Sequence, residues 1–367
     1  MCVMENSERS AHITSLDVRA HLLAGHVIPA HPLALTPSRT VDERSQRALT
    51  RYYIASGAGG MAVGVHTTGF AIHDAGIGLY EPVLALAAET ARNALQHSER
   101  NFVRVAGLIG HTAQALREAD IATTLGYHCG LLSLGAWRSA TDADILTHCR
   151  EVATAIPLFG FYLQPAVGGR VLGYNFWRDF AEIPGVVAIK VAPFNRYATL
   201  DVVRALLDSG RRDVALYTGN DDAIVSDLLT DIHADSGVGG NKNSAHFVGG
   251  LLGQWAVWTS VAVKLLRQIQ TWRGTGAPYL PKAWLSYGAS LTEANAAVFD
   301  AANAFAGCIP GILHVLKAQG LVQTELTFDE QEVLTAGQSK LIRSVRERHP
   351  ELCDDTFVAE HVDEWRS

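Results

Sequence analysis

Long apolar runs are missing from this chain. No eighteen consecutive apolar residues occur among its 367, so no membrane-spanning helix is expected. Basic runs are missing too, and the formal net charge is −7. That balance argues against a nucleic-acid binder. The first residues, MCVMENSERSAHITSLDVRAHLL, carry no signal-peptide core. Cysteine is scarce: Cys2, Cys129, Cys149, Cys308 and Cys353 make five, with no CxxC and no metal spacing. An odd count without a secretory signal sets the expectation of reduced thiols in a cytoplasmic protein, used as small core filler. There is no HExxH and no His-x-His, although 15 histidines are present.

What is present is apolar material arranged in a repeated order. Hydrophobic residues make up 48% of the chain, enough for a large core. Apolar strand-like runs alternate with amphipathic ones. HVIPAHPLAL precedes VDERSQRALTRYYIASG, and GMAVGVHTTG precedes EPVLALAAETARNALQHS. The same order continues through NFVRVAGLIG, CGLLSLG, PLFGFYL, GVVAIKV, DVALYTG and AHFVGGLLG, each with its helix behind it. Eight strand–helix units over about 250 residues imply a parallel sheet covered by helices, and they suit a closed (β/α)₈ TIM barrel. The expected organisation is an N-terminal extension at 1–24, the barrel at 25–272 and a C-terminal helical region at 273–367. The aromatic-rich GQWAVWTSVAVKLLRQIQTW reads either as the eighth barrel helix or as an oligomer surface. A Gly-, Asn- and Asp-rich segment, 230–244, precedes strand eight and contains Asn241, Lys242 and Asn243. It reads as a lid over the mouth or as a plain surface insertion.

A barrel of this kind does its chemistry at the C-terminal ends of its strands. Polar residues at those ends are His66, Thr67 and Thr68, then His111 and Thr112, Tyr162 and Gln164, Lys190, and Thr218 to Asp222. Lys190 is the anomaly, since it lies inside the β-branched run VVAIKVAPF. A lysine is rarely buried unless something holds or uses its amine. It either snorkels or pairs with a carboxylate, or it is deprotonated by its apolar surroundings and serves as a nucleophile.

Four of these pieces together resemble the dihydrodipicolinate synthase and N-acetylneuraminate lyase superfamily of class I aldolases. They are LTPSRTVDERSQRALTRYYIASG, HTTG (66–69), FYLQP (161–165) and AIKVAP (188–193). The likeness runs from about Gly25 to Gln254, and the spacing of 28 residues from Tyr162 to Lys190 belongs to it. The resemblance implies that Lys190 forms a Schiff base with a 2-oxo acid such as pyruvate. It implies that Tyr162 shuttles protons, that Thr67 holds the phenol, and that Thr68 and Gly69 bind the substrate carboxylate. Such chemistry calls for no cofactor. The resemblance also implies a homo-oligomer, dimer or tetramer.

The chain departs from that pattern. Phe70 stands where the family has glutamate after Thr-Thr-Gly. Ala136 and Trp137 replace its paired tyrosines, Leu163 its asparagine, and Val167 its arginine, with Arg170 nearby but displaced. The second substrate is therefore expected to differ from that of the synthase. TGNDD (218–222) resembles the segment with which sialic acid lyase holds sugar hydroxyls. This makes Gly219, Asp221 and Asp222 candidate contacts to a sugar-derived 2-oxo acid, with helix capping as the other use of Asp222. Two other readings stand beside the lyase. One is a metal-dependent hydrolase or isomerase using His31, His66, His111 and Asp221. The other is a barrel that binds a 2-oxo or sugar acid without turnover.

Overall fold

The computed structural model describes residues 16–234 and 243–367. The strands are β1 (Val27–Pro29), β2 (Gly60–Val63), β3 (Val103–Leu108), β4 (Cys129–Leu132), β5 (Leu158–Leu163), β6 (Val186–Ala192), β7 (Ala215–Thr218), β8 (Ile232–Ala234), β9 (Asn243–Ala245) and β10 (Gly249–Leu252). The first helices are α1 (Val18–Leu23), α2 (Glu43–Ala55), α3 (Tyr80–Leu95), α4 (Thr112–Thr124), α5 (Asp142–Val152), α6 (Tyr174–Ala181) and α7 (Arg196–Asp208). They are followed by α8 (Ile224–Leu229), α9 (Thr259–Gly274), α10 (Lys282–Val298), α11 (Cys308–Ala318), α12 (Gln338–Arg348) and α13 (Asp355–Trp365).

Eight strands form one parallel sheet in the order β1-β10-β7-β6-β5-β4-β3-β2. A parallel bridge between Ala30 and Ala62 joins the two ends, and the His31 N–H donates to the Ala62 carbonyl at 2.8 Å. The sheet is thereby a (β/α)₈ barrel, followed by the helices α10 to α13. Strand residues alternate between two apolar layers. Phe159, Phe161, Tyr217 and Leu251 fill the barrel interior, and Tyr162, Ile189 and Val191 face the surrounding helices. Side-chain caps start several helices: Asp42 accepts from the Ser45 N–H, Asn195 from the Ala198 N–H, and Thr141 with Asp144 forms a capping box. Among the described residues no helix is long and apolar enough to cross a membrane.

Three sequence expectations meet their structure here. The tryptophan-rich stretch is the eighth barrel helix rather than an exposed surface, since Trp255 and Trp258 are buried and α9 follows them. The region read as an extension supplies α1, which seals the bottom of the barrel. Leu22 enters the interior, its carbonyl accepts from the Tyr217 hydroxyl at 2.9 Å, and Arg19 reaches the Val186 carbonyl at 2.9 Å. Of the segment 230–244, read as a lid or a plain surface insertion, residues 235–242, Asn241 and Lys242 among them, lie outside the described residues. The strands β8 and β9, which flank them, pair antiparallel against α7. Ser244 to His246 there share a hollow with Leu23 and Gly210. A connection from a helix to the next strand returns to the N-terminal ends of the strands, opposite the mouth.

Candidate active site

Strand β6 is buried along its whole length, and the site grows from one irregularity in it. At the start of the β5–β6 ladder Leu158 pairs with Val186, an offset of 28; the next pair is Phe159 with Ala188, an offset of 29. Val187 is the extra residue of a β-bulge, and both Val187 and Ala188 contact the barrel interior. From there on, Phe161 is opposite Lys190 and Tyr162 is opposite Val191.

Lys190 therefore points inward and is 7% exposed. Its amine stands 4.5 Å from the centre of the Phe161 ring. Burial pushes the amine well below its ordinary pKa, and Asp221 and Cys308 offset only part of that shift. Gly219 makes room for the lysine stem: a Cβ there would lie 2.7 Å from Lys190 Cε and 2.7 Å from the Ala192 Cβ.

Asp221 lines the same pocket. Its Oδ1 accepts from the Gln254 N–H at 3.0 Å, and burial pushes its carboxyl well above the usual range. The two groups share a desolvated space in which each moderates the other's charge. His66 completes the polar lining with Thr67 and Gln164. Burial and the nearby lysine hold His66 down to about 4, so it is neutral near pH 7.

The C-terminal helices narrow the mouth. Phe299, Phe305, Cys308 and Ile312 line the pocket from above. Phe305 meets Phe194 edge-on, with ring centres 5.6 Å apart. Phe194 and Phe305 both have positive φ, 50° and 69°, a costly conformation for a bulky residue. Bonds from neighbouring side chains hold it. The Phe194 N–H donates to Asn220 Oδ1 at 3.0 Å, Asp300 accepts from the Gly307 N–H at 3.1 Å, and Gln338 donates to the Val298 and Gly307 carbonyls. Asn220 is fixed in turn by Asp227, which also accepts from Thr218 and pairs with Arg196.

Several residues named from sequence are placed differently. Tyr162 is turned away from Lys190 into the helix layer, where its ring packs on Trp177 and its hydroxyl accepts from the Leu172 N–H at 3.3 Å. The β6 bulge sets the mismatch: it shifts Lys190 by one residue along β5, so that it stands opposite the inward Phe161 and not the outward Tyr162. Thr67 reaches the pocket, but no phenol is there for it to hold. Its hydroxyl and its N–H have no hydrogen-bond partner among the described residues. The Thr68 hydroxyl is spent on the turn itself: it accepts from the Gly64 and Val65 N–H groups and donates to the His31 carbonyl at 2.7 Å. The Gly69 N–H bonds to the His66 carbonyl. Asp222 is exposed and lines no part of the Lys190 pocket; nor does it cap α8, which starts after Ala223 without a side-chain cap. Arg170 is tied to the Trp137 and Ala140 carbonyls.

The histidines are also apart. His31 bonds to Thr50 and the Pro32 carbonyl, and His111 stacks edge-on against Trp137. Among the described residues no three His, Cys, Asp or Glu side chains come together as a metal site would need. Sequence reasoning missed Cys308, taken there as filler, and the phenylalanines of the closing loop. They arrive from the C-terminal helices, and no local pattern marks them.

Comparison with known proteins gives a consistent picture. No family model matches the chain. It is 26% identical over 206 residues to the 4-hydroxy-tetrahydrodipicolinate synthase of Aromatoleum aromaticum; the match covers 55% of this chain and 65% of that relative. The dihydrodipicolinate synthase of Acinetobacter baumannii, solved with pyruvate, superposes with a TM-score of 0.68 at 17% identity, over 90% of this chain and 99% of that one. The N-acetylneuraminate lyase of Fusobacterium nucleatum does so with a TM-score of 0.67 at 12% identity, over 89% and 99%.

Proposed function

We propose that this chain, a barrel of the dihydrodipicolinate synthase and N-acetylneuraminate lyase superfamily, is a lyase that works through a Schiff base on Lys190. The observation that carries the reading is the buried lysine, turned into a pocket with Gly219 cleared beside its stem. An amine with a lowered pKa is neutral more often near pH 7, and only the neutral amine attacks a ketone. The nitrogen would bond to C2 of a 2-oxo acid, and loss of water would leave the imine. The protonated imine then draws electrons from the neighbouring carbon, so that a carbon–carbon or carbon–oxygen bond there can form or break.

Proton transfer needs a partner, and Phe161 offers none. Asp221 is the group at hand. Its carboxyl shares the pocket with the amine, and a raised pKa lets it exchange protons near neutrality. Thr67, with a hydroxyl and an N–H to spare, together with Gln164, suits the substrate carboxylate.

The pocket around Lys190 is only about 50 Å³. One water needs roughly 10–15 Å³, so a short acid such as pyruvate fits the pocket better than a sugar chain. The sugar-derived acid loses its residue basis as well, because Asp221 faces the lysine and Asp222 stands outside. A homo-oligomer remains part of the reading, supported by the exposed Tyr279, Leu280 and Leu285 around the start of α10. The described cysteines are unpaired, which suits a cytoplasmic setting.

The test is reductive trapping. Incubation with pyruvate and borohydride, followed by mass spectrometry, is expected to leave one adduct on Lys190 and none in Lys190→Ala. Binding of pyruvate without any adduct would favour the non-catalytic barrel instead.

A further inference from the structure

The Lys190 pocket has a neighbour across His66 and Thr67, which line both spaces: a second cavity of about 310 Å³. Its apolar walls are Leu33, Leu35, Phe70, Ala71, Ile309 and Phe328, and the Thr68 and Thr327 side chains line it beside them. Among the described residues no lysine or arginine lines it, and its charged lining groups, Asp329 and Glu332, are both acidic; Arg39, which bonds to the Thr327 carbonyl, is paired with Glu330. His66 adds no positive charge near pH 7.

These walls decide what can be held. A carboxylate tail would leave water for a largely apolar lining and face two acids with no cation in that lining to pair it. A polyol would lose hydrogen bonds to water along the apolar walls, and the lining hydroxyls of Thr68 and Thr327 are already bonded within the protein. An uncharged ring or alkyl body gains about 25 cal/mol for each Å² of apolar surface it buries.

We propose that this cavity takes the second substrate of the Lys190 reaction and selects an uncharged aldehyde with an apolar, ring-sized body. The proposal rests on the Schiff-base reading above. The step balances without an oxidant or reductant. Lys190-bound pyruvate loses a proton from C3 to give the enamine. C3 bonds to the aldehyde carbon, the carbonyl pair moves to its oxygen, and that oxygen takes up a proton. The water lost in forming the imine is returned on hydrolysis, which frees a 4-hydroxy-2-oxo acid and the amine.

The experiment pairs pyruvate with benzaldehyde, succinic semialdehyde or erythrose and measures kcat/KM for each. Benzaldehyde is expected to exceed the other two by at least tenfold. Phe70→Glu and Ala71→Trp, checked for folding by thermal melts, are each expected to cut its use at least tenfold. Benzyl alcohol, which cannot react, is followed in parallel by saturation-transfer NMR, and its signal should fade in both variants. Preference for succinic semialdehyde or erythrose, or no binding of benzyl alcohol, overturns the assignment of the cavity. No pyruvate adduct on Lys190 overturns the Schiff-base reading beneath it, so the two failures are distinct.

Discussion

Phe161 and Lys190 stand opposite one another in the β5–β6 ladder, the ring 4.5 Å from the amine nitrogen. The neighbouring Tyr162 points out of the barrel. A phenylalanine thus stands beside the lysine where the resemblance implies a tyrosine.

Replacing Tyr162 tests this directly. Tyr162→Phe removes a hydroxyl whose partner is the Leu172 N–H. Stability should fall by about 1 kcal/mol, the worth of one such bond. The rate of borohydride trapping on Lys190 should not change. A large loss of trapping with the fold intact would restore the tyrosine to the mechanism.

The pH dependence of trapping reports on Lys190 and Asp221 together. Burial lowers the amine's pKa, and the charge of Asp221 raises it in part. Trapping should therefore rise with pH through a midpoint below the ordinary lysine value of about 10.4. Asp221→Asn removes the charge that favours the ammonium ion, so the midpoint should move to lower pH. Turnover should drop by roughly 10²–10⁴ if the carboxyl moves protons. An unmoved midpoint with normal turnover would separate the two residues.

Gly219→Ala tests the room beside the lysine stem. The added methyl would sit 2.7 Å from Lys190 Cε. Either the lysine or the strand end must shift, at a cost of about 1–3 kcal/mol. The expected result is a folded protein, by circular dichroism, that traps pyruvate at least tenfold more slowly.

Asp227 is predicted to matter for stability rather than chemistry. It is fully buried, accepts from Thr218 and Asn220, and pairs with Arg196. Asp227→Ala leaves buried donors without an acceptor, at about 1–3 kcal/mol each. A urea titration should show a lower midpoint. Because Asn220 holds the strained Phe194 N–H, the mouth should loosen as well.

The barrel was legible because each strand run is apolar and each helix run is amphipathic, and those periods survive folding. Lys190 was legible for the same reason, as a charge in a run that offers it no water. Tyr162 was not. Its spacing to Lys190 equals the ladder's offset before the bulge, and a single extra residue at Val187 changes the face of everything after it. Thr68 was half legible: the turn was visible, but nothing local shows that its hydroxyl closes that turn instead of facing substrate. Phe305 and Cys308 were illegible as site residues, because only the packing of α10 and α11 over the mouth brings them to the lysine.

The seal at the bottom of the barrel has a consequence for how the chain folds. Arg19 in α1 bonds to the Val186 carbonyl across 167 residues, and to the Asp213 carboxylate across 194. Helix α1 is made before β6 and β7, so its seat does not exist until they have followed. Contacts of such long range carry a heavy loop-closure cost and slow the search for the native state. Leu22 therefore cannot reach its place in the barrel interior before β6 and β7 are made. The docking of α1 should be the last event of folding at that end.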